Sequence, residues 1–350
     1  MAAACTSGTG AIELNRPITM VVVFSIATLL AGCGGAPLGE SLLDNYVDRL
    51  SKTLSVEQPE RPTINPPRIT EFDIASIPIE TQSIGLIDLL SVTDCELKIN
   101  IARRNTLLAK NASPSQQLLL DLEFLRLAPA CIDVLTSSGD NKLAQVIEQA
   151  HEVKQQQLPA RIFNALIVGP EWQALWSIPP SLGDYPEHSS DDEAQALNAL
   201  SRRIERWLSG DWDEDDETIE LALSELRTGA GGSLLLAANT QYAFLAQASN
   251  LLEVTPKNDL CRRGEATQTS IILNTVIQKY FAGEVQGWLS AVNQRHYALL
   301  RGVESIESSL NDVLTPDYME WQDARERIAE YLFSAPRSHV GAIKATQGPC

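Results

Sequence analysis

Residues 113–131 read SPSQQLLLDLEFLRLAPAC, and their pattern decides the fold. Ser113 can cap a helix, Pro114 suits its first turn, and Gln116 sits where it can bond back to the cap. Leu118, Leu122 and Leu125 then recur at helical spacing. Pro129 is expected to kink or break the helix, because it lacks an amide proton.

Working outward, the same period governs most of the chain. Helices are expected over 141–158, 161–168, from Asp191 or Asp192 through Leu208, and over 217–227, 233–252, 267–310 and 316–332. Gly169-Pro170 leads into a short apolar turn with Trp172 and Trp176. Gly229, Gly231 and Gly232 read as a turn, and Gly283 with Gly287 as a bend in the long segment. Upstream, 84–108 and 41–54 carry helical stripes. Pro59, Pro62, Pro66, Pro67 and Pro78 make residues 57–80 an extended connector along the surface. No run alternates with period two. The expected fold class is therefore all-α, an irregular multi-helix bundle of about nine or ten helices. No fixed-period repeat occurs, and the loops at 179–192 and 209–216 are too short to force two bodies, so 41–350 reads as one domain.

The 350 residues are 44% apolar and 6% aromatic, which argues against disorder and against multiple membrane spans. The net charge of −18 repels phosphate backbones, so nucleic acid is not an expected partner.

Ile18 to Leu30 form an uncharged, largely apolar run behind Arg16, too short to cross a bilayer comfortably and of signal-peptide length. Leu30-Ala31-Gly32-Cys33 follows at once and resembles the lipobox of bacterial lipoproteins. The resemblance implies that 1–32 is a cleaved signal peptide and that Cys33 takes a thioether-linked diacylglycerol, with palmitate-type acyl chains holding the protein to a membrane. An ordinary secretory signal and an uncleaved anchor are the alternatives. The leader is long and carries Glu13; Met20 is a second possible start, but leaves no basic residue ahead of the core. Gly34 is not the aspartate that commonly retains lipoproteins at the inner membrane. In a Gram-negative cell the resemblance thus favours the periplasmic face of the outer membrane, with 33–40 as a short tether.

Cys5 lies in the leader. The remaining cysteines, Cys95, Cys131, Cys261 and Cys350, suit two disulfides in an oxidising compartment, with three possible connectivities. Pairing neighbours along the chain gives Cys95–Cys131 and Cys261–Cys350, each contributing about 4 kcal/mol by chain entropy. Free buried thiols are the plainer alternative.

No residue pattern amounts to a catalytic or metal site, and no cofactor is called for. Asp211, Asp213 and Asp215 have calcium-loop spacing, but Asp216 stands where glycine is needed and Ala222 where a glutamate is needed. His151, His188, His296 and His339 share no ligand spacing. His188, beside Glu187, Asp191 and Asp192, is at most a weak surface metal site. His296 follows the apolar stripe and reads as structural. Gly229 to Ser233 lacks the strand and lysine of a phosphate loop, and no Gly-x-Ser-x-Gly elbow occurs. A glycosidase carboxylate pair cannot be read from spacing. Arg103-Arg104-Asn105 is the one basic cluster in an otherwise apolar helix pair. It is expected to place an arginine against Asp121 or Glu123; anion binding is the sharper reading.

The segment CELKINIARRNTLLAKNASPSQQLLLDLEFLRLAPAC at 95–131, with LLDNYVDRL at 42–50 and the lipobox, resembles an uncharacterised family of gammaproteobacterial lipoproteins with a domain of unknown function. The resemblance implies a Gram-negative envelope location and transfers no catalytic residue. The sequence favours a non-enzymatic envelope lipoprotein, tied to the membrane through Cys33 and binding an envelope protein or small ligand. An envelope hydrolase acting on glycan or peptide, and an apolar-ligand carrier, are the rivals.

Overall fold

A computed structural model of the chain describes residues 38–79, 95–187, 191–213, 216–348 and 350. The residues divide into two compact units, Met1–Ala36 and Pro37–Cys350, and the description concerns the second. The expected signal peptide, Cys33, the stretch 84–94 of an expected helix, His188 and Asp215 lie outside the described residues.

The class is all-α, with about three-quarters of the described residues helical. Helix α1 (Leu38–Leu54) begins inside the expected 33–40 tether. It buries Leu43, Tyr46, Val47, Leu50 and Leu54, the three-and-four spacing of one face. Its partners are a central helix (Ala230–Glu253) and the segment after Gln268. That central helix is apolar on all sides and correspondingly buried, packing also on the last two helices. Residues 56–79 are extended as expected, apart from a 3₁₀ turn at Ile69–Glu71. The connector is pinned by side chains that replace missing backbone partners. Asn164 donates to the Ile77 carbonyl and accepts from its amide, Gln247 donates to the Pro59 carbonyl, and the Arg61 guanidinium lies 3.4 Å from the Phe244 ring centroid.

Leu97–Arg104 forms α2 and the single turn Leu107–Lys110 follows, so the expected helix to Leu108 is interrupted at Asn105–Thr106, where Thr106 caps the new turn. Helix α3 (Pro114–Ser138) starts at Ser113, whose hydroxyl accepts from the Gln116 amide at 3.2 Å. The expected break at Pro129 does not occur: the helix runs through it. Proline removes the hydrogen bond to the carbonyl four residues back, that of Leu125, without ending the helix. Gly139 and the Asp140 cap turn the chain into α4 (Asn141–Gln156), and α5 (Leu158–Leu166) follows.

Trp172 and Trp176 sit on the short α6 (Pro170–Leu175) and its C-cap, both deeply buried. Helices α7 (Asp192–Leu208) and α8 (Asp216–Glu225) precede the central α9 (Ala230–Glu253). Of the glycines expected to form a turn, Gly229 does so with positive φ, while Gly231 and Gly232 instead open α9. A Cβ on Gly232 would lie 1.9 Å from the Ser177 carbonyl oxygen, so this approach admits no side chain. A two-residue hairpin, Cys261–Arg262 with Glu265–Ala266, was not expected. Its turn uses positive φ at Arg263 and Gly264, the type I′ geometry that suits strand twist.

The segment 268–309 runs as α10 (Gln268–Val276), a π-helical stretch (Ile277–Val285) that contains Gly283, and α11 (Gln286–Ser309). Helix α12 (Pro316–Ala329) ends before Leu332, and a further helix that was not expected, α13 (Tyr331–Thr346), follows it. Cys95 is bonded to Cys131, and Cys261 to Cys350. Buried apolar side chains form a main core across most elements and a smaller one between α2, α3 and α4, around Phe124, Leu135 and Ile147.

Candidate functional site

The break after Arg104 and the long helix α3 bound a cleft of about 530 Å³. Leu119, Leu120 and Leu122 supply apolar floor, Trp212 closes one side, and Arg103, Glu123, Arg126 and Glu220 bring charge to the wall. Glu123 is already engaged, pairing with Arg103 at 3.0 Å and accepting from Asn100 at 2.7 Å. Glu220 accepts from Ser115 at 2.8 Å. Arg126 lies 3.7 Å from Asp213. Leu107 and Leu108, on the single turn at the rim, are about four-fifths exposed. Behind Trp212 stands His151, edge-on at 5.4 Å between centroids; burial lowers its proton affinity, against the pull of the Leu125 carbonyl and Glu152. Such a wall can hold an apolar body and align a polar end. Its carboxylates are held by donors, which makes them positioned anions.

Arg104 turns to the other face of α3, onto Asp121. That carboxylate is buried and receives three cations: Arg104 at 2.9 Å, Lys154 at 2.6 Å and Arg161 at 2.6 Å. Arg161 is steadied by Gln157, and Lys154 lies over the Phe124 ring. Burial pushes the Lys154 ammonium down to about 8, with Asp121 opposing and Arg104 and Arg161 adding to the fall. Sequence reasoning singled out Arg103, Arg104, Asp121 and Glu123. It missed Lys154 and Arg161, one and two helices further on, which carried no local signal.

A second buried carboxylate, Glu307, is met by both arms of Arg325 at 2.6 and 3.0 Å, by the Tyr318 hydroxyl at 2.6 Å and by Gln322 at 2.9 Å. Arg325 lies against both the Trp176 and Trp321 rings, 5.1 Å from each centroid. Trp176 therefore serves the core and does not line a groove. A third network joins Tyr46, His339 and Ser249. The Ser249 hydroxyl donates to the Leu245 carbonyl, so it must accept from His339 Nδ1–H at 2.9 Å; Nε2 then accepts from the Tyr46 hydroxyl at 2.8 Å. Burial pushes His339 down to about 4 and keeps it neutral. With its proton spent on the backbone, Ser249 is not poised as a nucleophile.

Of the other candidates, Asp211 and Asp213 pair with Arg206 and Arg126, and His296 packs edge-on against Phe333, its proton affinity lowered by burial and Arg325. Among the described residues no group of three His, Cys, Asp or Glu could hold a metal ion, and no helix is long and apolar enough to cross a membrane.

The fold places the chain in the class of all-α, multi-helix proteins. Residues 43–342 match the family described as protein of unknown function DUF3080, and the chain belongs to that family. No curated protein and no solved structure matches it.

Proposed function

We propose that this is a lipid-anchored protein of the bacterial envelope, attached through Cys33, whose cleft beside α3 binds a ligand or partner segment with an apolar body and a polar end. The cleft carries the binding reading: Leu119, Leu120 and Leu122 supply apolar contact, while Arg103, Glu123, Arg126 and Glu220 fix orientation. The two disulfides support the location, because such bonds persist in oxidising compartments. The role is binding rather than catalysis, since Glu123 and Glu220 are tied to their own donors.

Two measurements test it. In cells fed an alkyne fatty acid, the full chain takes up label and Cys33→Ala does not; equal labelling refutes the anchor. The purified protein binds the apolar dye Nile red saturably, and Ala112→Trp, which fills the cleft, weakens binding at least tenfold. Equal dye binding by the variant refutes the cleft.

A further inference from the structure

We propose that Arg104, Lys154 and Arg161 form a seat for a phosphate group, distinct from the cleft and independent of its reading. The argument begins with charge. Three cations meet one carboxylate, which leaves two positive charges without a counterpart. The chain has 45 acidic residues against 27 lysines and arginines, yet among the described residues no second acid pairs with any of these three. Arg103 does not alter the balance, since Glu123 neutralises it. The cluster is poorly screened: Arg161 is 93% buried by side chain, and Asp121 more so. Like charges at that depth repel strongly.

Hydrogen bonding points the same way. The Nε–H of Arg161 is buried and has no acceptor among the described residues. An unmet donor there carries the full desolvation cost of the group. Arg104 and Lys154 keep 29% and 14% of their side chains exposed, so the cluster opens to solvent. A phosphate or phosphomonoester carries close to two negative charges near neutral pH and offers several acceptor oxygens. Planar guanidinium groups fit those oxygens in pairs. A single carboxylate would balance half of the excess. The phosphate group could come free in solution or on a lipid headgroup such as phosphatidate.

Calorimetry on the full chain at pH 7 tests the seat, with inorganic phosphate titrated against chloride at matched ionic strength. A parallel arm uses phosphatidylcholine vesicles with and without phosphatidate. One saturable phosphate site is expected, at least tenfold weaker in Arg104→Gln. Asp121→Asn removes the competing carboxylate. It is expected to bind phosphate more tightly and to regain with phosphate part of the Tm it loses, whereas a purely structural ion cluster loses Tm without recovery. Binding confined to phosphatidate vesicles and lost in Arg104→Gln assigns the group to a headgroup. Absence of saturable binding of either probe, or wild-type binding by Arg104→Gln, overturns the proposal.

Discussion

Glu307 meets one guanidinium, a phenol and a carboxamide; Asp121 meets two guanidiniums and an ammonium. The first set is closed. Arg325 faces the buried Glu307 and, more distantly, the exposed Glu326, both oxygens of Glu307 are occupied by matched donors, and aromatic rings flank the cation. The second set is open. Its cations outnumber its acid, and it lies where the small core meets the main one; a buried guanidinium Nε–H without a partner occurs in both sets, at Arg161 and at Arg325, so it does not tell them apart. Both are buried, so burial alone does not separate them. Charge balance does. A balanced pair fills a structural place in the core, while an unbalanced one keeps a capacity for another anion.

The largest test of this contrast is at Glu307. Glu307→Ala leaves the buried Arg325 with only the longer contact to exposed Glu326, and urea unfolding should show a loss of about 3–5 kcal/mol. Replacing both partners, Glu307→Leu with Arg325→Met, should recover most of that, because no lone charge remains. A single-variant loss below about 1 kcal/mol would remove the closed half of the comparison. The next effect is pH-dependent. Lys154 sheds its proton at about 8 in the fold and at about 10.5 when unfolded. Between those values the unfolded chain binds the extra proton, so stability relative to Lys154→Met should rise with pH, by about 3 kcal/mol in all. A flat difference from pH 7 to 11 would mean that Lys154 is not held against its charge. The smallest effect belongs to Arg103, whose side chain is half exposed. Arg103→Ala should cost about 0.5 kcal/mol, shrinking further in salt.

The elements were legible where a local rule acts. Ser113 and Pro114 announce a helix start, and the stripe from Leu43 to Leu54 announces a buried face. The proline rule misled at Pro129, which sits inside α3 without breaking it. What packing makes up for the lost hydrogen bond is not visible along the chain. The opening of α9 was read as a turn because glycine was taken for flexibility, whereas Gly232 is small so that Ser177 can approach. Arg104 and Asp121 could be paired from sequence, being on consecutive helices. Lys154 and Arg161 reach the same carboxylate from 33 and 40 residues away, a convergence that only packing creates.

The hydrogen bond between Tyr46 and His339 joins residues 293 apart and draws the first described helix to the last. The opening helix thus completes its packing late: its cover comes from Ala230–Glu253, from the segment after Gln268 and last from His339. Until those parts are made, Leu43, Val47 and Leu50 present the kind of uncovered apolar surface that makes partly folded chains prone to aggregate.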